Sequence, residues 1–263
     1  MTNTTATASL HMIQLQLDAK GLTTLGRMLG LPLRQTDTNY LVHCALGELF
    51  QDQAPKPYSI ENDGAPGRQV QVLGYTDVDD ETLHSLAQGF ASPTVYQIGQ
   101  WERLASKPMP DTFPDGMRLG FELRACPVIR KSSAGSGTNK KGQERTWRAG
   151  QELDVFLARQ WTSDESLDRE AVYVKWLQDQ FSTRGGAELI DAGVERFSIE
   201  RMVRRTKTDA NGDRTAHTVK RPDVTLSGTL TVTDSDAFQA LLRSGIGRHK
   251  SFGFGMLKVR RAR

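Results

Sequence analysis

Two cysteines in 263 residues leave no material for a disulfide framework or a four-thiolate zinc site. Cys44 and Cys126 lie far apart, and neither has a His or Cys at metal-ligand spacing. A reduced, cytoplasmic protein without a structural metal or other cofactor is therefore expected. No run approaches the ~20 apolar residues that span a bilayer. Residues 1–9 lack both the basic start and the apolar stretch of a secretion signal, so no membrane partner is expected. The aromatic signature by which RNA-recognition modules stack bases is missing as well. What the chain does have is 37% apolar residues, which rules against disorder and suffices for two domains of roughly 100–150 residues.

A net charge of only +3 says little about partners, but its distribution says more. Between Arg196 and Arg221 stand Arg201, Arg204, Arg205, Lys207, Arg214 and Lys220, opposed by Glu200, Asp209 and Asp213. A second basic run, Arg248, His249, Lys250, Lys258, Arg260, Arg261 and Arg263, contains no acid. Solvated surfaces usually mix both signs, so stretches this one-sided point to a polyanion. The alternative is a solubilising ribbon and tail.

Hydrophobic spacing divides the chain into two similar halves. Residues 10–17 alternate, with Ile13, Leu15 and Leu17 on one face, and predict a strand. Asp37 or Thr38 is placed to cap a helix running to Phe50. Strands are expected at 58–61 and 69–74 around an Asp63-Gly64 turn, then a helix from Asp79 or Asp80 and a closing strand at 95–98. Pro108, Pro110 and Pro114 read as a linker. The pattern then repeats: a strand at 118–129, a mobile polar loop at 131–142, and a helix from about Asp168 bearing Trp176 in its buried stripe. Two strands at 195–203 and 219–232 flank an Asn211-Gly212 turn. A helix capped by Ser235 and ended by Gly245 follows, and a strand at 256–259 closes the chain. The expectation is an α+β protein of tandem ferredoxin-like (RRM-like) βαββαβ domains with antiparallel sheets, occupying residues 1–109 and 118–263.

The densest chemistry lies at 244–257, where Gly245, Gly247, Gly253 and Gly255 interleave with Arg248, His249, Lys250 and Ser251. Glycine lets backbone amides approach a phosphate, and the cations supply charge. A dinucleotide-binding loop is excluded, because that motif leaves a strand and opens a helix, whereas this one does the reverse.

This segment resembles the glycine-rich loop of CRISPR repeat-processing endoribonucleases, particularly the CasE type. Two further segments are similar to that family in the right order. One is Tyr40-Leu-Val-His43 with the Leu49-Phe50 pair after it; the other is the strand Phe121-Glu-Leu-Arg124-Ala-Cys-Pro127. The stretch Glu144-Arg145-Thr146-Trp147-Arg148 departs from that type, which also admits a type IV counterpart. The resemblance implies binding of a precursor crRNA repeat hairpin and metal-independent attack of a 2′-hydroxyl on the adjacent phosphate. It also implies that the protein stays with mature crRNA beside other subunits of an effector complex. His43 is implied as the proton-transfer residue and Tyr40 as its neighbour on the same helix face. Arg34 and Arg248 are reserve stabilisers of phosphorane charge, with Arg27 beside them. RNA contacts would fall to Arg27, Arg124, Arg130, Lys131, Arg145 and Arg148, to Arg204, Arg205, Lys207, Arg214 and Lys220 of the hairpin, and to Gly245, Gly247, His249, Lys250, Ser251, Gly253 and Gly255 of the loop. Trp147, beside two arginines, is the candidate for stacking on a base. Two rival readings are a catalytically silent crRNA-binding subunit and a protein-interaction module.

Overall fold

The computed structural model describes residues 9–34, 36–61, 69–139, 141–205 and 216–262, which leaves the expected Asp63-Gly64 and Asn211-Gly212 turns outside it. In β1 (His11–Asp18) the alternation becomes a buried face of Ile13, Leu15 and Leu17. Asp18 accepts from Gly21 N at 2.6 Å and so starts α1 (Ala19–Met28), a helix the sequence pattern left unassigned. Asp37 caps α2 (Thr38–Phe50), and Asp79 caps α3 (Asp80–Phe90), which follows β2 (Tyr58–Ile60) and β3 (Gln69–Thr76).

The structure corrects the end of this half. Pro93 sits in the first turn of a short helix, α4 (Pro93–Tyr96), where a strand is predicted. The closing strand is β4 (Ala105–Pro108), inside the supposed linker. It pairs only with β1 at the sheet edge, where a proline's missing N–H is tolerated.

In the second half β5 (Arg118–Ala125) leads into a region predicted as loop. There β6 (Val128–Arg130) pairs with β9 (Glu152–Asp154), and β7 (Gly135–Thr138) pairs with β8 (Glu144–Trp147). Two further helices follow, α5 (Val155–Thr162) and α6 (Arg169–Arg184). The strands β10 (Ala187–Arg205) and β11 (Ala216–Val232) are far longer than their apolar cores suggest. Only Val224–Thr231 of β11 pairs with β5, so the outer parts of β10 and β11 form a two-stranded arm. Then α7 (Ser235–Ser244) is capped by Asp234, not Ser235, whose hydroxyl accepts from Phe113 N at 2.9 Å instead. Finally β12 (Leu257–Arg261) pairs with β5.

The sheet orders are β2-β3-β1-β4 and β10-β11-β5-β12, all antiparallel. Each is the order of a βαββαβ ferredoxin-like fold, so the architecture is a tandem of that motif. The two units are joined by buried contacts. Leu10 and Tyr75 from the first half enter the core of the second, and the Tyr75 hydroxyl donates to Leu257 O at 2.9 Å. Among the described residues no helix is long and apolar enough to cross a membrane.

Candidate active site

The first turn of α2 is held on two sides. Asp37 Oδ1 accepts from Tyr40 N at 2.9 Å, while Oδ2 accepts from Val203 N of β10 at 3.2 Å. The carboxylate thus caps the helix and ties it to the basic arm. Tyr40 and His43 fall three residues apart on one helix face, with ring centroids 6.0 Å apart. Phe252, in a 3-10 turn of the glycine-rich loop, stacks on Tyr40 at 5.9 Å and lies 4.8 Å from the His43 ring. The Tyr58 hydroxyl lies 3.2 Å from Asn39 O and 3.0 Å from Ser251 O, donating to this pair of carbonyls. Helix and loop are therefore drawn together although they come from opposite ends of the chain.

His43 is half-buried, and its pKa lies below 6.5, first because burial disfavours the imidazolium and second because Lys56 is near. Its ring nitrogens make no hydrogen bond among the described residues, and the lowered pKa favours the neutral imidazole. Lys56 itself is exposed.

The four loop glycines all take positive φ, but two of them show what the conformation serves. A Cβ on Gly245 would lie 2.7 Å from Gly255 O, and one on Gly255 would lie 2.5 Å from Ile246 O. The loop closes on itself, with Ile246 N donating to Gly255 O at 2.8 Å, and is tied to β5 by Gly255 N donating to Arg124 O at 2.7 Å. These glycines allow backbone to approach backbone, and Gly245, Gly253 and Gly255 are buried. Gly247 and Ser251 are half-buried.

Two of the predicted RNA contacts are buried and held by protein partners. Arg124 is 5% exposed; its Nη2 and Nε hold Asp223 at 2.6 and 3.0 Å, and its Nη1 donates to Asn39 Oδ1 at 3.2 Å. His249 is 8% exposed, in left-handed backbone at φ 63°, and its Nε2 pairs with Glu152 Oε2 at 2.9 Å. Both side chains organise the interior. Glu152 also receives Arg221 Nη2 at 3.0 Å and Arg248 Nε at 2.7 Å, so one carboxylate gathers three basic side chains. Arg248 remains 43% exposed in its side chain, and bonding through Nε leaves its terminal nitrogens for another acceptor. Lys250 donates to Ser244 O at 2.6 Å, and its pKa is lowered by burial, then by Arg184 and Lys56.

Other predicted residues scatter. Arg34 lines an open cleft of about 690 Å³ with Arg201 and Lys220 of the arm, and Asp37 and Glu200 share its wall. Arg27 is exposed in the last turn of α1. Arg130, Lys131, Arg145 and Arg148 belong to the small β6–β9 region. Arg204 and Arg205 occupy the arm's β10 strand, but their side chains lie outside the description, as do Lys207 and Arg214 altogether. Sequence reasoning missed Phe252, Lys56, Asn39, Asp223 and Glu152. Only Asp223 carried a signal, as an acid standing beside Lys220 and Arg221 in a basic strand. Among the described residues no three His, Cys, Asp or Glu side chains gather to hold a metal ion.

With this geometry in place the chain can be compared with known proteins. A family model described as CRISPR associated protein matches residues 10–261. A solved structure of the CRISPR endoribonuclease Cse3 bound to 19 nt RNA is 19% identical, with 95% of this chain and 99% of that one aligned at a TM-score of 0.57. The CRISPR-associated protein Cas6e from Escherichia coli str. K-12 is 20% identical, with 96% and 100% covered at 0.55. A chain of a CRISPR RNA-guided surveillance complex, pre-nicking, is 15% identical, with 96% and 100% covered at 0.52. At these identities the likeness is one of fold. No curated protein matches the chain.

Proposed function

The chain belongs to the family of CRISPR associated proteins, and within it we propose that this member binds the repeat hairpin of precursor crRNA and cuts it. The observation that carries this reading is the meeting of His43 and Tyr40 with Phe252, which places a neutral imidazole between α2 and the glycine-rich loop. In the proposed reaction His43 takes the proton of a 2′-hydroxyl, and the freed oxygen attacks the adjacent phosphorus. The 5′-oxygen leaves and is protonated, and a 2′,3′-cyclic phosphate remains. Lys56 and the exposed end of Arg248 are the cations for the phosphorane. The cleft of Arg34, Arg201 and Lys220 runs along the arm and suits an RNA backbone. Residues 1–109 and 118–263 act as two domains on this reading, with the reactive face formed between them. Product retention beside other effector subunits follows the same logic, since nothing in cleavage removes the backbone contacts.

The test is incubation with end-labelled repeat RNA in EDTA. Cleavage to a cyclic-phosphate end is expected, and a 2′-deoxy sugar at the scissile nucleotide should stop it. Binding without cleavage would assign the protein as a silent RNA-binding subunit, and neither would leave a protein-interaction module. A magnesium requirement that survives removal of contaminating metal would overturn the 2′-hydroxyl mechanism.

A pH profile examines the imidazole separately. The base works only when neutral, so activity falls as pH drops through the His43 pKa, which lies below 6.5. The acid limb of kcat/KM, which reports the free protein, should therefore be centred below pH 6.5. A limb centred above that value would mean that His43 is not the neutral base.

A further inference from the structure

Two tryptophans in the β6–α5 region differ in what covers them. Trp147 lies against Gly135 and Gly137 of the facing strand, where an added Cβ would come within 3.1 and 3.2 Å of its ring. The Lys131 ammonium sits 4.3 Å from its ring centroid. Protein thus already packs on the residue that the sequence marks for base stacking. Trp161 instead lines an open cleft of about 260 Å³ between the β7–β8 hairpin and α5. Leu157, one helical turn earlier on the same face, is 47% exposed. Across the cleft the Arg145 guanidinium stands 5.7 Å from the Trp161 centroid, and Lys141 joins it from the hairpin.

We propose that this cleft holds one base of single-stranded RNA adjoining the repeat hairpin, stacked on Trp161, with Arg145 and Lys141 on the neighbouring phosphates. The inference rests on the chain being an RNA-binding protein but concerns a site separate from His43. Three observations select this occupant. An apolar, half-covered indole facing cations is the combination that grips unpaired nucleotides without reading sequence. The volume falls below the about 300–1,000 Å³ of whole small-molecule sites and suits one flat ring system. The charge also fits: between residues 128 and 148 the chain has Arg130, Lys131, Lys140, Lys141, Arg145 and Arg148 against Glu144 alone. Asp164 is the acid of the lining. The site is also within reach of the reacting face. Three extended residues and six helical ones separate Glu152, which holds Arg248 and His249, from Trp161, a span of at most about 20 Å.

The experiment compares two RNAs on the full chain, a repeat hairpin alone and the same hairpin with a single-stranded extension of about eight nucleotides on its 5′ side or its 3′ side. An extension should tighten wild-type binding by about 5- to 100-fold. Trp161→Ala should erase that gain, Trp161→Phe should keep part of it, and affinity for the hairpin alone should not change. A 2-aminopurine walked along the extension should be quenched at one position by wild type and at none by Trp161→Ala. Arg145→Glu keeps the ring and reverses the charge, so it must also remove the gain should Trp161→Ala prove unfolded in a thermal melt. An extension gain unaffected by these variants overturns the assignment and leaves the cleft to a protein side chain. A wild type that binds neither RNA overturns the RNA-binding reading with it, and the loss of hairpin binding tells the two failures apart.

Discussion

His43→Ala is expected to slow cleavage of the repeat RNA by about 10²–10⁴-fold while affinity for uncut RNA stays within a few-fold of wild type. Proton transfer is lost, whereas an imidazole kept neutral by burial contributes no charge to ground-state binding. Single-turnover rates and a filter-binding titration on one preparation separate these two effects. Because the ring packs against Phe252, the variant must melt close to wild type before its rate is interpreted. His43→Gln, nearer in volume, should show the same loss of rate. A folded His43→Ala that cuts at the wild-type rate would remove histidine from the reaction and leave phosphorane charge to Arg34 and Arg248.

The second large effect is on stability. Asp223 is fully buried and answers Arg124 through two oxygens, with Arg196 Nη2 a further 3.5 Å away. Asp223→Ala leaves a buried guanidinium without its carboxylate, and such losses cost about 3–5 kcal/mol. Against a total of about 5–15 kcal/mol that is a large share. The urea midpoint should fall sharply, with the slope of the transition unchanged. Replacing both partners together, Arg124→Met with Asp223→Leu, should cost much less, since no unpaired charge then remains. A single variant within about 1 kcal/mol of wild type would mean that water reaches Arg124. Arg124 also holds Asn39, so the destabilised single variant should lose RNA cleavage at a lower urea concentration than that of global unfolding.

Which parts of this were readable from sequence follows from how far apart the determining residues lie. Helix α2 and its Asp37 cap were legible because cap and apolar stripe sit within one segment. Strand β4, Ala-Ser-Lys-Pro, carries no alternation of its own and becomes a strand only through its pairing with β1. The apolar residues Val95 and Ile98, taken alone, fit a strand and a buried helical turn equally well. The pairing of Tyr40 with His43 is local and was visible. The partners of Arg124 and His249 were not legible because their carboxylates stand 99 and 97 residues away in sequence, so nothing near either residue marks it as paired. The backbone packing of the loop glycines was hidden for a different reason. Close approach to a phosphate and close approach to another carbonyl ask for the same residue, and only the fold decides between them.

The stacking of Phe252 on Tyr40 and beside His43 has a consequence for the timing of the protein's appearance in the cell. The two contributors are separated by roughly 200 residues, so at about 5–20 residues per second a ribosome needs about 10–40 s between making the helix and making its lid. The basic arm is made only late in that interval, and until Phe252 follows it no nascent chain has a finished centre. On the proposed function, a transcript that meets a chain still lacking Phe252 is held but not cut, and cutting begins once the loop is made.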